Sequence, residues 1–238
     1  HPLSSSRISD AFNSAEGISE EGTKQDSLEF GLMKARLEVY YENIPANSLR
    51  LFESKVDDSP SDANIYGLAL AHKKNNNFDK SINLLDKLIQ KYPKNLVINT
   101  TKVDILLSYD KFNEALNLVN QFLEISPKNY PLSISKSKVL LGMERYFESE
   151  EIIRDQLLRK NDDPELWLLL SEIQRNSQNI IGYHQSRAEY FLLLGQDDKA
   201  LNQLEFALQL TQNNFQVSES LMNKIVEIKK NLSSARGL

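Results

Sequence analysis

Two short segments, KYPKN at 91–95 and ISPKN at 125–129, punctuate the chain at a fixed interval. Pro93 and Pro127 lie 34 residues apart. So do Phe78 and Phe112, which sit within the runs NNFDKSINLL and DKFNEALNLV. A fixed interval of this length signals one supersecondary unit copied along the chain, because each copy buries its apolar face against the next. Proline stops a helix by removing a backbone N–H and crowding the preceding turn. The chain has only 8 glycines and 7 prolines, and the prolines stand singly between apolar-periodic segments. That is the punctuation of helices; strands need more turn residues. An all-α chain is expected.

Position by position, the interval resembles the tetratricopeptide repeat (TPR). In that repeat small residues at positions 8 and 20 let two antiparallel helices approach, and large apolar residues fill the space between them. In 62–95, Ala69 and Ser81 take those two places, Leu68, Leu85 and Leu88 are the large residues, and Pro93 closes the unit. In 96–129 the set is Val103, Leu106, Ala115, Val119, Phe122 and Pro127. The segment 130–163 fits more loosely, through Leu140, Tyr146, Ser149 and Ile153, and its proline arrives late as Pro164. Ala188, Phe191, Gly195, Ala200, Leu204 and Ala207 mark a further unit. The helix at about 179–194 therefore reads both as the second helix of one unit and as the first of the next. Upstream, 28–59 is a degenerate unit with SLEFGLMKARLEVYY and ANSLRLFESKV as its helices. The resemblance implies a right-handed solenoid of about five to six helix pairs over 26–214. A capping helix and tail would follow over 215–238, and residues 1–25 would be an edge and linker ahead of the array.

Composition excludes several functions. The net charge of −5 offers no broad basic field for nucleic acid. Cysteine is absent, which removes disulfides, thiolate metal sites and cysteine nucleophiles. The richest apolar stretch, Leu166–Leu170, is far shorter than the roughly 20 residues a transmembrane helix needs. No serine stands in a nucleophile elbow, no Gly-rich phosphate loop occurs, and no triad is legible. The Asp162-Asp163 pair ahead of Pro164 reads as helix capping. His72 is expected in the core or at a groove edge, and His184 has no ligating neighbour one turn away. Trp167 is expected to pack inside its own helix pair.

Binding is the better expectation. In TPR solenoids the first helix of each pair lines the inner face, which selects Tyr66, Leu70, Lys73 and Lys74 in one unit. Thr100, Asp104 and Leu107 follow in the next, then Ile134, Lys138 and Leu141, then Leu168, Glu172 and Arg175. The mixture suits an extended polypeptide or a protein face.

The flanks carry a second resemblance. HPLSSSRISDA supplies His1, Pro2, Arg7, Ile8, Asp10 and Ala11. DSLEFGLMKAR supplies Asp26, Ser27, Leu28, Phe30, Leu32, Lys34, Ala35 and Arg36. Together they resemble the BepA-type periplasmic zinc metalloproteases, the β-barrel assembly-enhancing proteases, at the junction between protease domain and TPR array. The HEXXH motif and the downstream glutamate ligand of that family are not in this chain. The resemblance implies a non-catalytic C-terminal piece without its own cofactor, the zinc being held by the protease domain of a parent protein. His1 would then be the family's zinc-gating histidine, meaningful only in the full-length enzyme. Implied partners are the outer-membrane β-barrel assembly machinery, its barrel clients and the chain's own protease domain, in the periplasm of a Gram-negative bacterium. The competing reading is a free-standing TPR adaptor of the cell envelope.

Overall fold

The computed structural model describes residues 27–211 and 214–236. Among these, twelve helices and no strand are found. They form six antiparallel pairs. The first three are α1 (Leu28–Tyr41) with α2 (Pro45–Asp58), α3 (Asp62–Lys74) with α4 (Phe78–Lys91), and α5 (Leu96–Ser108) with α6 (Phe112–Ile125). Then come α7 (Tyr130–Gly142) with α8 (Tyr146–Leu157), α9 (Pro164–Asn176) with α10 (Ile180–Leu193), and α11 (Asp197–Leu210) with α12 (Phe215–Arg236). From α2 onward each helix packs on its neighbours in sequence, while α1 packs mainly on α3, and α5 packs on α7 as well, which is how a solenoid stacks.

The interval of 34 is written into both ends of the first helices. Ser27, Ser61, Asn95, Asn129 and Asp163 recur at that spacing and are the N-caps of α1, α3, α5, α7 and α9. Each side-chain oxygen accepts from a backbone N–H of the first turn, at 3.0–3.2 Å. At the other end, Asn76, Asp110, Glu144 and Gln178 adopt φ of 57–62°. The next N–H in each case, from Asn77, Lys111, Arg145 and Asn179, donates to the carbonyl five residues back at 2.8–2.9 Å. This is the Schellman closure, which satisfies the orphan carbonyls of a helix end and requires one left-handed residue. Gly195 supplies that residue between α10 and α11, with φ 67°.

The first pair departs from the pattern. Glu42 is extended at the end of α1, and the Lys74 ammonium reaches back from α3 to take over the capping. It donates to the carbonyls of Val39, at 2.6 Å, and Glu42.

Close approach inside the pairs uses small residues twelve apart. Ala69 and Ser81, Val103 and Ala115, Ser137 and Ser149, and Ala188 and Ala200 are all buried. Ser81 Oγ donates to the Ala69 carbonyl at 2.7 Å and Ser149 Oγ to the Ser137 carbonyl at 2.8 Å. The helices therefore touch backbone to side chain across the seam. Large residues such as Phe52, Leu85, Leu106, Leu140 and Ile153 then fill the space between helices. The double reading of the helix near 179–194 has a physical basis. Gln178 keeps the interval from Glu144, whereas Gly195, Ala188 and Ala200 start a second register, and α10 packs extensively on both α9 and α11.

Candidate protein-binding face

Five residues spaced by 34, Arg36, Leu70, Asp104, Lys138 and Glu172, occupy equivalent places on α1, α3, α5, α7 and α9. Asp104, Lys138 and Glu172 are exposed, while Leu70 and Arg36 are half-buried. One turn further on lie Lys73, Leu107, Leu141 and Arg175, of which the first three are half-buried and Arg175 is exposed. Thr100, Ile134 and Leu168, one turn earlier, are half-buried.

Asp104 reports that four of these helices converge. Its side chain is open to solvent, yet enough protein stands around it that burial is the largest influence on its carboxyl, raising the pKa above the ordinary value. Lys138 from α7, Arg36 from α1 and Lys73 from α3 pull in the opposite direction without cancelling it. Solvent access combined with dense surroundings is what the wall of a recess gives. Among the described residues, Lys73, Asp104, Lys138, Glu172 and Arg175 make no ion pair, although nine pairs occur elsewhere. Asp104 and the two lysines that act on it, Lys73 and Lys138, are thus near one another without pairing.

Two of the expected inner-face residues are used otherwise. Tyr66 is fully buried. Arg36 donates through Nε and Nη2 to its hydroxyl, at 3.1 and 2.6 Å, and through Nη2 to Thr101 Oγ1 at 2.6 Å. The two hydroxyls are 2.8 Å apart, so the ring lies beneath Arg36 and stitches α1, α3 and α5 together. Its length carries the phenol into that seam, away from any partner. Lys74 caps α1 as described, so its charge belongs to the fold. Conversely, Arg36 lies outside the expected groove set. It stands one interval before Leu70, and extending the period into the degenerate first unit would have found it.

The remaining candidates have structural settings. His72 is buried, and burial and Lys80 hold its pKa below the ordinary value against the opposing pull of Glu53. His184 Nδ1 lies 2.9 Å from Gln203 Oε1, with the ring against Tyr183 and Phe206. Trp167 is half-buried against the cluster that includes Ile153 and Leu157 of α8, and its indole N–H donates to the Asn161 carbonyl at 2.8 Å. Asp163 is the cap of α9, as its place ahead of Pro164 suggested. His1 lies outside the described residues. A cleft of about 630 Å³ between α1, α2 and α3 is lined by Gly31, Ala35, Phe52, Lys55, Ala63 and Tyr92 among others, and by none of the expected groove residues. Among the described residues no group of three or more His, Asp or Glu side chains could hold a metal ion. None of their helices is long and apolar enough to cross a membrane.

Residues 106–173, from the end of α5 to α9, match the family model of the tetratricopeptide repeat. No curated protein matches the chain. Among solved structures, a tetratricopeptide repeat protein from Parabacteroides merdae ATCC 43184 is similar over 83% of this chain and 82% of its own, at 13% identity and a TM-score of 0.51. MamA from Desulfovibrio magneticus RS-1 is similar over 71% and 96%, at 11% identity and a TM-score of 0.50. Likeness at such identity speaks for the fold alone. With the recurring caps, left-handed turns and small-residue seams, it gives the described residues the fold of an all-α, TPR-like solenoid.

Proposed function

We propose that the chain is a protein-interaction module that holds an extended segment of a partner along the first helices of its repeats. The observation that carries this reading is the unpaired charge around Asp104, continued by Glu172 and Arg175 on α9. A preformed groove engages a segment at little ordering cost to itself. Half-buried Leu107, Ile134, Leu141 and Leu168 would supply apolar area between the charges.

The finer reading rests on the resemblance of the flanking residues to the BepA-type proteases. In it the module is the non-catalytic part of a periplasmic zinc metalloendopeptidase. It recruits the outer-membrane β-barrel assembly machinery and barrel clients for maturation or for proteolytic quality control. The test is affinity capture of purified barrel-assembly components by the chain, compared with Lys138→Glu and Arg175→Glu variants. Capture by the wild type, weakened roughly tenfold or more in the variants with helicity intact, supports both levels. Equal capture by the variants removes the inner face from the account. No capture by the wild type removes the barrel-assembly reading and favours a free-standing envelope adaptor.

A further inference from the structure

Along the second helices the interval of 34 keeps one buried face. Ser81, Ala115 and Ser149 recur on it, as do Leu85, Val119 and Ile153, and all six are fully buried. One interval further on, in α10, the same two places hold Tyr183 and Arg187. A tyrosine is too large for a seam that admits serine or alanine, and an arginine there would carry its charge out of water without a partner. Helix α10 meets α9 three residues later instead. Ser186 Oγ donates to Oε1 of buried Gln174, twelve residues before it, at 2.7 Å, where the interval would have paired Ser171 with Tyr183. A step of three residues turns a helix by about 60°. Tyr183 and Arg187 are accordingly half-buried, at the edge of the packing and not inside it.

This rotation leaves a cation set among rings. The Arg187 guanidinium stands 4.9 Å from the centre of the Phe191 ring and 5.7 Å from that of Tyr190. Lys199 Nζ, from α11, stands 5.6 Å from the Phe191 ring as well. One turn earlier, His184 joins Tyr183 to Phe206, with ring centres 4.9 and 5.5 Å from its own. Phe206 is exposed by 50%, and Ile180 and Leu194, at the two ends of this face of α10, by 42% each. Among the described residues the Arg187 guanidinium makes no hydrogen bond and no ion pair, and its Nε is buried without an acceptor. Lys199 donates to Gln196 Oε1 and pairs with no carboxylate among them. Stacking on rings occupies the faces of a guanidinium but satisfies none of its five N–H groups. Tyrosine, phenylalanine and arginine are also the residues that anchor protein interfaces.

We propose that this face of α10 and α11 docks an acidic polypeptide segment, in which an Asp or Glu carboxylate meets the Nη edge of Arg187 and neighbouring apolar side chains cover Phe206 and Tyr190. Two cations over one ring, neither ion-paired, give the charge complementarity, and a carboxylate matches the guanidinium fork with two parallel bonds. None of these residues belongs to the inner-face set on α1 to α9, so the inference does not depend on what that set binds.

The probe is a random dodecapeptide display library, selected in parallel on the full chain and on its Arg187→Met variant, which keeps an apolar stem over the rings and removes the charge. Sequences recovered by the wild type alone should be enriched in Asp or Glu beside aromatic or aliphatic residues. Synthetic copies of them, read by fluorescence anisotropy, should bind Arg187→Met at least tenfold more weakly. Replacing the peptide's carboxylate by its amide should weaken binding to the wild type by the same factor and to the variant no further. Arg187→Lys keeps the charge without the fork, so it should fall between the two. Circular dichroism and melting temperature should be no worse in Arg187→Met than in the wild type, because Leu85, Val119 and Ile153 show that the place suits an apolar side chain. If Arg187→Met unfolds, the comparison of wild type with Arg187→Lys decides. The proposal is overturned if no sequence prefers the wild type, if those that do carry no acidic bias, or if loss of the peptide's carboxylate weakens binding to wild type and variant alike.

Discussion

Replacing Glu144 by glycine should stabilise the protein, although it deletes a side chain and adds backbone freedom. Glu144 ends α7 at φ 60°, is exposed and is not hydrogen-bonded through its side chain. Its cost to the fold is therefore backbone strain alone. An L-residue in the left-handed region is disfavoured by roughly 1–2 kcal/mol. Glycine removes that cost but raises the entropy of the unfolded chain by about 0.4–1 kcal/mol. The difference leaves a net gain of about 0.5–1 kcal/mol, or a Tm rise of roughly 1–4 °C for a chain of this size. Gly195 offers the reciprocal experiment, because it sits at φ 67° and a Cβ added there would meet nothing within 4 Å. Gly195→Ala should lose about what Glu144→Gly gains. Urea unfolding followed by circular dichroism measures both, and an unchanged m-value would confirm that only stability moved. Glu144→Ala separates the alternatives, since it removes the same carboxylate while keeping the strain. Asn76→Gly should gain least of the series, because asparagine tolerates this region best. A destabilised Glu144→Gly, or a Gly195→Ala without cost, would refute the claim that these turns are strained.

Two further outcomes follow from the packing and the titrating groups. Gly67→Ala should destabilise by about 1–2 kcal/mol, because its Cβ would fall 2.0 Å from a ring carbon of buried Phe52. Overpacking of roughly 1–3 kcal/mol then outweighs the helix-propensity gain of about 1 kcal/mol, and Phe52→Leu in the same background should recover part of the loss. Lowering the pH from 7 to 5 should cost stability through His72. Its folded pKa is depressed below 6.5, so its contribution is present above that value and lost as pH falls through the folded pKa. Thermal unfolding of His72→Gln should show a flatter slope over this range, the difference being at most about 1.4 kcal/mol per pH unit. Parallel slopes would mean that His72 accepts its proton without cost.

The helix pairs were legible because their determinants are residue types at fixed spacing: small side chains at the seams, large ones around them, proline at the close. The left-handed turns were not, because Asn76, Asp110, Glu144 and Gln178 share a conformation without sharing a side-chain chemistry that announces it. Only Gly195 carries the expected mark. Repeat position fixes a side chain's direction from the helix axis but not its reach. Tyr66 therefore counted as a surface group, although its phenol extends into the seam under Arg36. Lys74 misled in the same way, since nothing in the sequence says that α1 lacks a Schellman turn and needs a cation there.

These two misplacements divide the inner face. At its first end, Arg36 is fixed by Tyr66 and Thr101, and Lys74 by backbone carbonyls, so the cations there hold α1, α3 and α5 in register. Moving either one to meet a ligand would break hydrogen bonds inside the solenoid. From α5 onward the charges are differently placed. Asp104, Lys138, Glu172 and Arg175 alternate along successive first helices without bonding one another. A carboxylate in Asp104's surroundings is less favourable than one in water, and its neighbouring cations only partly offset that. An approaching cation would complete the compensation there, and anionic groups would do the same for Lys138 and Arg175. A partner that reads this face gains most where the fold leaves its charges least satisfied, between α5 and α9. In the proposed reading, the stitched first end would be the rigid frame for that stretch.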